Sequence, residues 1–169
     1  RPGSLFVCIR HRSFDGHTAA LDALASGAAA VVSQDRLGLE NELRVADSRG
    51  AYARLCAALC GHPERKLRMI GVTGTNGKTT VTALIRNILS DSLTKTLLTG
   101  TVCNRLGDEN LPSGLTTPKP PELYSLLSRA VLQGCQACVM EASSQALAQG
   151  RLEGIDFDAA VFTNITRDH

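Results

Sequence analysis

The sequence predicts an α/β protein: a small N-terminal α/β domain, then a parallel-sheet domain built around a P-loop-like glycine turn. Three observations predict it. Short apolar runs alternate with Ala/Leu-rich helical stretches along nearly the whole chain, the rhythm of a parallel sheet with helices on both faces. A charged, proline-containing stretch, His62-Pro63-Glu64-Arg65-Lys66, lacks periodicity and reads as a linker between domains over 1–62 and 67–169. Residues 71–80 read GVTGTNGKTT, three glycines and a lysine between a strand-like and a helix-like run.

Taken in order, residues 5–9 (LFVCI) are a β-rich run, followed by a polar loop over 10–17. Thr18 is placed to cap a helix through Ala25 that Gly27 ends. Strands are expected at 29–32 and 43–45, then a helix from Ser48 to Cys60 stopped by Gly61 and Pro63. In the second domain a strand over 67–70 precedes the glycine turn, and a helix runs over 78–89. A strand at 96–98 and a polar excursion over 104–115 follow. Pro121 suits the first position of a helix to Gln133. Apolar stretches at 137–140 and 159–162 complete the set as buried-type strands. Binding sites of such sheets lie at the carboxyl ends of the strands.

Bulk properties narrow the function classes. With 169 residues the chain buries roughly 70% of its unfolded surface. Eighteen basic residues against 16 acidic ones leave a net charge of +2, with no basic run longer than the ERKLR stretch at 64–68, which argues against nucleic acid. No apolar run approaches the ~20 residues that span a bilayer, so no membrane insertion is expected. The cysteines at 8, 56, 60, 103, 135 and 138 include one C-x-x-C pair with no second metal-binding pair after it. Free thiols in a reducing cytoplasm are the expectation. The chain opens at Arg1 rather than Met, as a fragment would.

The glycine turn is not a strict P-loop. Counting back from Gly77-Lys78-Thr79, the pattern G-x-x-x-x-G-K-[ST] wants glycine at 72, where the chain has Val72, and Gly74 takes the turn instead. The physical logic is intact. Gly74 and Gly77 allow N–H groups to face an anion, Lys78 reaches terminal phosphates, and the Thr79 hydroxyl suits Mg²⁺. A helix amino terminus adds partial positive charge. The plainer alternative is a glycine turn with a solvated lysine.

The variant TGTNGKT at 73–79 resembles the loop of the Mur ligases, the ATP-dependent amide-forming enzymes of peptidoglycan synthesis, and of their relatives the folylpolyglutamate synthases and cyanophycin synthetases. The stretches RPGSLFV at 1–7, DGH at 15–17 and GAAAVV at 27–32 look like the UDP-binding N-terminal domain of the third- and fourth-step ligases. GLTTP at 114–118 and MEASSQALAQGR at 140–151 resemble the third-step, MurE type. That type adds the third amino acid to UDP-N-acetylmuramoyl-L-alanyl-D-glutamate.

The resemblance implies roles by position. Gly74, Thr75, Asn76, Gly77, Lys78, Thr79 and Thr80 would hold ATP, and Thr79 and Glu141 would ligate Mg²⁺. A carboxylate at a strand's carboxyl end beside such a loop can neutralise a phosphate-bridging metal; without the resemblance Glu141 could equally be solvated or capping. The stretch TNITRDH at 163–169 resembles the family's N-x-[ST]-x-D-H motif, which would make His169 a second metal-associated ligand and put Asn164 and Asp168 near the site. Thr116, Thr117, Ser143, Gln149 and Arg151 match positions that bind the UDP-muramoyl dipeptide, while Arg12, Ser13 and Phe14 align with an N-terminal substrate loop. The catalytic set expected is Lys78, Glu141 and His169.

The implied reaction activates the D-glutamyl carboxylate with the ATP γ-phosphate to an acylphosphate, which an amino acid's amine attacks. In the family, a carbamylated lysine and an amino-acid-selecting domain lie beyond the D-H motif. The expectation is therefore a truncated ligase, a cytoplasmic monomer inactive alone. The alternatives are another Mur-type or cyanophycin-type ligase, or a non-catalytic nucleotide-binding module.

Overall fold

The computed structural model describes residues 2–11, 13–92 and 94–166. Its packing divides the chain into two units, residues 1–52 and 53–169.

The first unit is a three-stranded parallel sheet in the order β1 (Leu5–Val7), β2 (Ala30–Ser33), β3 (Glu42–Arg44). A 3-10 turn over Gly16–Ala19 leads into α1 (Ala20–Ala25). Thr18 does not cap this helix: the Asp15 carboxylate caps the turn, accepting from the His17 N–H at 3.0 Å. Asp15 wins because its carboxylate stands at the open end of the turn, where the amides are unpaired. Cys8, Ala20 and Val31 form the core, with Phe6, Leu24, Leu37 and Leu39 against it. The Glu42 carboxylate accepts from the N–H groups of Leu37 and Gly38, which pins the loop before β3.

Helix α2 (Ser48–Leu59) carries the chain from one unit into the other. Residues 62–66 are not an open linker. Pro63–Lys66 form a 3-10 turn in which Pro63 and Glu64 are buried, and Glu64 accepts from the His62 ring at 2.9 Å. A proline in the first turn and an acid that finds a partner let this charged stretch pack.

The second unit holds a six-stranded sheet: β4 (Arg68–Thr73), β5 (Thr96–Thr99), β6 (Asn104–Leu106), β7 (Glu109–Leu111), β8 (Ala137–Glu141) and β9 (Ala159–Phe162). Spatial order is β7-β6-β5-β8-β4-β9. The four long strands are parallel, while β6 and β7 pair antiparallel. The polar excursion is thus a hairpin that widens the sheet. Its register, Leu106 opposite Glu109, leaves a two-residue turn at Gly107-Asp108. Central β8 is buried along its whole length, as a strand covered on both faces must be.

Helix α3 (Lys78–Asp91) crosses from β4 to β5, and α4 (Pro120–Leu132) leads back to β8. These crossovers run in opposite directions along the sheet, so right-handed connections put the two helices on opposite faces. Helix α4 starts at Pro120, with Pro121 second, and buries Leu123, Tyr124, Leu126, Leu127 and Ala130. A short helix, α5 (Ser144–Ala148), follows β8, capped by the Ser143 hydroxyl accepting from the Ala146 N–H.

Candidate functional site

The carboxyl ends of β4, β8 and β9 converge on the glycine turn. Gly74 has φ 133° and Gly77 φ 84°, angles open to glycine and costly for other residues. Gly74 is also crowded: a Cβ there would lie 2.1 Å from Thr163 Oγ1 and 2.8 Å from the Asn164 carbonyl oxygen. The chain after β9 is what crowds it. The Thr163 hydroxyl donates to the Asn76 carbonyl at 2.7 Å, and Asn164 Oδ1 accepts from the Asn76 N–H at 3.0 Å. Thr75 donates its hydroxyl to the Thr166 carbonyl and its N–H to that of Asn164, both at 3.0 Å. The turn is clamped by residues almost ninety positions away.

Lys78 folds over this turn, its ammonium donating to the carbonyls of Gly74 at 2.6 Å and Thr75 at 3.0 Å. Thr79 and Thr80, in the first turn of α3, are exposed. The Thr79 hydroxyl donates to Glu141 Oε1 at 3.0 Å. Glu141 ends β8 and is only 1% exposed. The Thr101 N–H donates to Oε1 and the Thr101 hydroxyl to Oε2, each at 3.0 Å. A carboxylate only accepts, so the Thr101 hydroxyl in turn accepts from Thr116, 3.0 Å away. Among the described residues Glu141 forms no ion pair. Neutral donors hold a buried carboxylate whose charge is uncompensated, and such a group costs free energy unless a cation joins it. With a hydroxyl oxygen beside it, this donor set fits a hard divalent cation.

The third cluster is built on Thr117, which is buried. Its hydroxyl donates to the Glu141 carbonyl at 2.7 Å and accepts from the Ser143 N–H at 3.0 Å. Arg151 donates through Nη1 to the Thr117 carbonyl at 2.9 Å, and through Nε and Nη2 to Gln149 Oε1 at 3.0 and 2.7 Å. Arg151 and Gln149 therefore brace the strand end that carries Glu141. A cleft of about 430 Å³ runs between the clusters, bordered by Gly74, Lys78, Thr116, Ser143, Gln145 and Asn164.

The structure thus gathers the turn residues 74–80 with Glu141, Thr116, Thr117, Ser143, Gln149 and Arg151 in one unit. Ser13 and the exposed Phe14 belong to the other unit, in a tight turn closed by the His11 N–H donating to the Phe14 carbonyl. Arg12, Asp168 and His169 lie outside the described residues. Sequence reasoning passed over Thr101 and gave Thr163, within the TNITRDH stretch, no role of its own. A lone threonine carries no chemical signature, and Thr101 meets Glu141, and Thr163 meets Asn76, across dozens of residues.

A glycine turn between a parallel strand and a helix that opens on lysine and threonine puts the second unit in the class of P-loop α/β proteins. A model of the Mur ligase middle domain matches residues 72–169, and the chain belongs to the Mur ligase family. It is 46% identical over 168 residues to the UDP-N-acetylmuramoyl-L-alanyl-D-glutamate--2,6-diaminopimelate ligase of Geobacillus kaustophilus, covering 99% of this chain and 34% of that protein. It is 42% identical over 176 residues to the UDP-N-acetylmuramyl-tripeptide synthetase of Deinococcus radiodurans, covering 100% of this chain and 36% of the relative. The chain spans about a third of the length of these curated relatives. Among solved structures it is similar to a UDP-N-acetylmuramoyl-L-alanyl-D-glutamate--2,6-diaminopimelate ligase, with TM-score 0.73, 37% identity, and coverage of 91% of this chain and 32% of that one. The MurF ligase from Thermotoga maritima in complex with ADP matches with TM-score 0.58 and 25% identity, covering 97% of this chain and 35% of that one. No helix among the described residues is long and apolar enough to cross a membrane.

Proposed function

We propose that this chain is the nucleotide- and metal-holding part of an ADP-forming amide ligase of peptidoglycan synthesis, of the MurE type. Its substrates in this reading are ATP, the UDP-N-acetylmuramoyl dipeptide and an amino acid whose amine joins the D-glutamyl carboxylate through an acylphosphate. Relatives at 42–46% identity carry the corresponding names. Residues 1–62 form the UDP-substrate domain and 67–169 the ATP-binding domain in this proposal. Six free cysteines accord with a cytoplasmic setting.

One observation carries the reading: the Thr79 hydroxyl and the uncompensated Glu141 carboxylate meet at 3.0 Å beside the glycine turn. In the proposed roles, the amides of residues 74–80 bind the triphosphate and Lys78 leaves its loop carbonyls for the terminal phosphate oxygens. Thr79 and Glu141, with His169, would hold Mg²⁺, which when bound supplies charge neutralisation to the transferring phosphoryl group. Thr116, Thr117, Ser143, Gln149 and Arg151 orient the muramoyl dipeptide, with Arg12, Ser13 and Phe14 as substrate-loop positions of the N-terminal domain. Catalysis here is alignment and charge stabilisation rather than covalent participation by the protein.

Titration calorimetry with a non-hydrolysable ATP analogue and Mg²⁺ tests this reading. The expected result is Mg²⁺-dependent binding that Glu141→Gln weakens at least about tenfold, the loss of one charged metal ligand. Binding equal with and without Mg²⁺, or untouched by Glu141→Gln, overturns it.

A further inference from the structure

A second cleft, of about 290 Å³, opens between α3 and the start of the β6–β7 hairpin. Ala83, Leu98 and Val102 give it an apolar wall, Thr79 and Glu141 of the glycine-turn site border it, and two arginines, Arg86 and Arg105, stand in it. Arg86 is 8% exposed. Its Nη2 donates to the Gly107 carbonyl at 2.6 Å, yet its Nε is buried without a partner, and so is the Nε of Arg105.

The charges around the pair do not balance. Among the described residues a single carboxylate, that of fully exposed Asp108, lies within ion-pair distance of the two guanidiniums, 3.9 Å from Arg86 and 3.8 Å from Arg105. Burial, and then the neighbouring Arg105, pull the Arg86 guanidinium below its ordinary pKa. Two like charges are held together at the end of an apolar cleft. Buried charge is retained without a partner only at a cost, and guanidinium pairs match the planar oxygens of a carboxylate.

We propose that this cleft binds a small amphipathic carboxylate, its head group on Arg86 and Arg105 and its apolar body on Ala83, Leu98 and Val102. The apolar wall selects against inorganic phosphate, which has no body to bury, and the arginines select against neutral analogues. The cleft borders Thr79 and Glu141 of the site described above, but its arginine end uses neither residue, and ligand capture there needs no nucleotide.

The test uses the 169-residue chain with benzoate, its neutral counterpart benzamide, and inorganic phosphate as probes, read by calorimetry and by amide chemical shifts. Benzoate is expected to shift the amides of Ala83, Arg86 and Val102, with benzamide and phosphate each at least about tenfold weaker, the loss of a charge-assisted hydrogen bond or of apolar burial. Arg105→Gln, at a half-exposed position, is expected to weaken benzoate about tenfold. Ala83→Phe, at an exposed helix position, is expected to fill the cleft and abolish binding while the melting temperature holds. Benzamide or phosphate binding as well as benzoate overturns the proposal. So does Ala83→Phe binding like wild type, or the absence of any benzoate response.

Discussion

Thr101 holds both oxygens of Glu141, donating its backbone N–H to Oε1 and its hydroxyl to Oε2, each at 3.0 Å. The hydroxyl fixes the carboxylate plane that faces Thr79. Thr101→Val keeps the shape and the N–H but removes the hydroxyl donor. Metal-dependent nucleotide binding is expected to weaken by roughly tenfold, in line with a hydrogen bond to a charged group. Thr101→Ser is expected to restore it. Calorimetry of both variants checks the pair; equal affinities for valine and serine would refute the positioning role.

The two turn glycines separate strain from crowding. At Gly77 a Cβ would meet nothing within 4 Å, so alanine there pays only for its positive φ, about 1–2 kcal/mol. That corresponds to a melting-temperature drop of roughly 2–8 °C. Gly74→Ala adds the collision with Thr163 and the Asn164 backbone. Its drop is expected to be clearly larger, with the clamp after β9 displaced. Thermal melts by circular dichroism rank the two.

Asp15 makes the first unit acid-sensitive. The Arg10 guanidinium, then the His17 N–H and ring, hold its carboxyl well below the usual carboxylate range. A carboxyl depressed on folding stabilises at every pH above its unfolded value near ~4. That contribution is lost as pH falls from there toward the folded value. Melts of Asp15→Asn are expected to show less change than wild type between about pH 5 and pH 2; parallel curves would refute the assignment.

Thiol reactivity follows burial. Cys60 is exposed and Cys103 half-buried, whereas Cys8, Cys56, Cys135 and Cys138 are buried. Burial pushes the Cys138 thiol up to about 12, and the thiolate is the reactive form. With an aromatic disulfide reagent at pH 8, Cys60 is expected to react first and Cys103 next, with Cys138 silent until the protein unfolds. Peptide mass spectrometry of timed samples gives the order.

Legibility from the chain tracked how local each signal was. The glycine turn, its strand and its helix were legible because all three are contiguous, and periodicity switches sharply at Lys78. Glu141 stood out as an acid closing an apolar strand. The hairpin did not, because β6 and β7 have three residues each and alternate polar with apolar only briefly. Nor did the bracing of Thr117 by Arg151, a contact across 34 positions in which a cation meets a carbonyl rather than an acid. Thr18 misled for the opposite reason, since a better acceptor stood three residues earlier at Asp15.

The ammonium of Lys78 already rests on two carbonyl dipoles of its own loop, so the loop keeps its shape without a visitor. In the proposed nucleotide-binding role, capture of an anion there would need no ordering of backbone, and its speed would be set by diffusion and long-range attraction. In that role the guest would compete with these carbonyls for the lysine, which would shorten its residence. Raising ionic strength would then slow arrival more than it hastens departure.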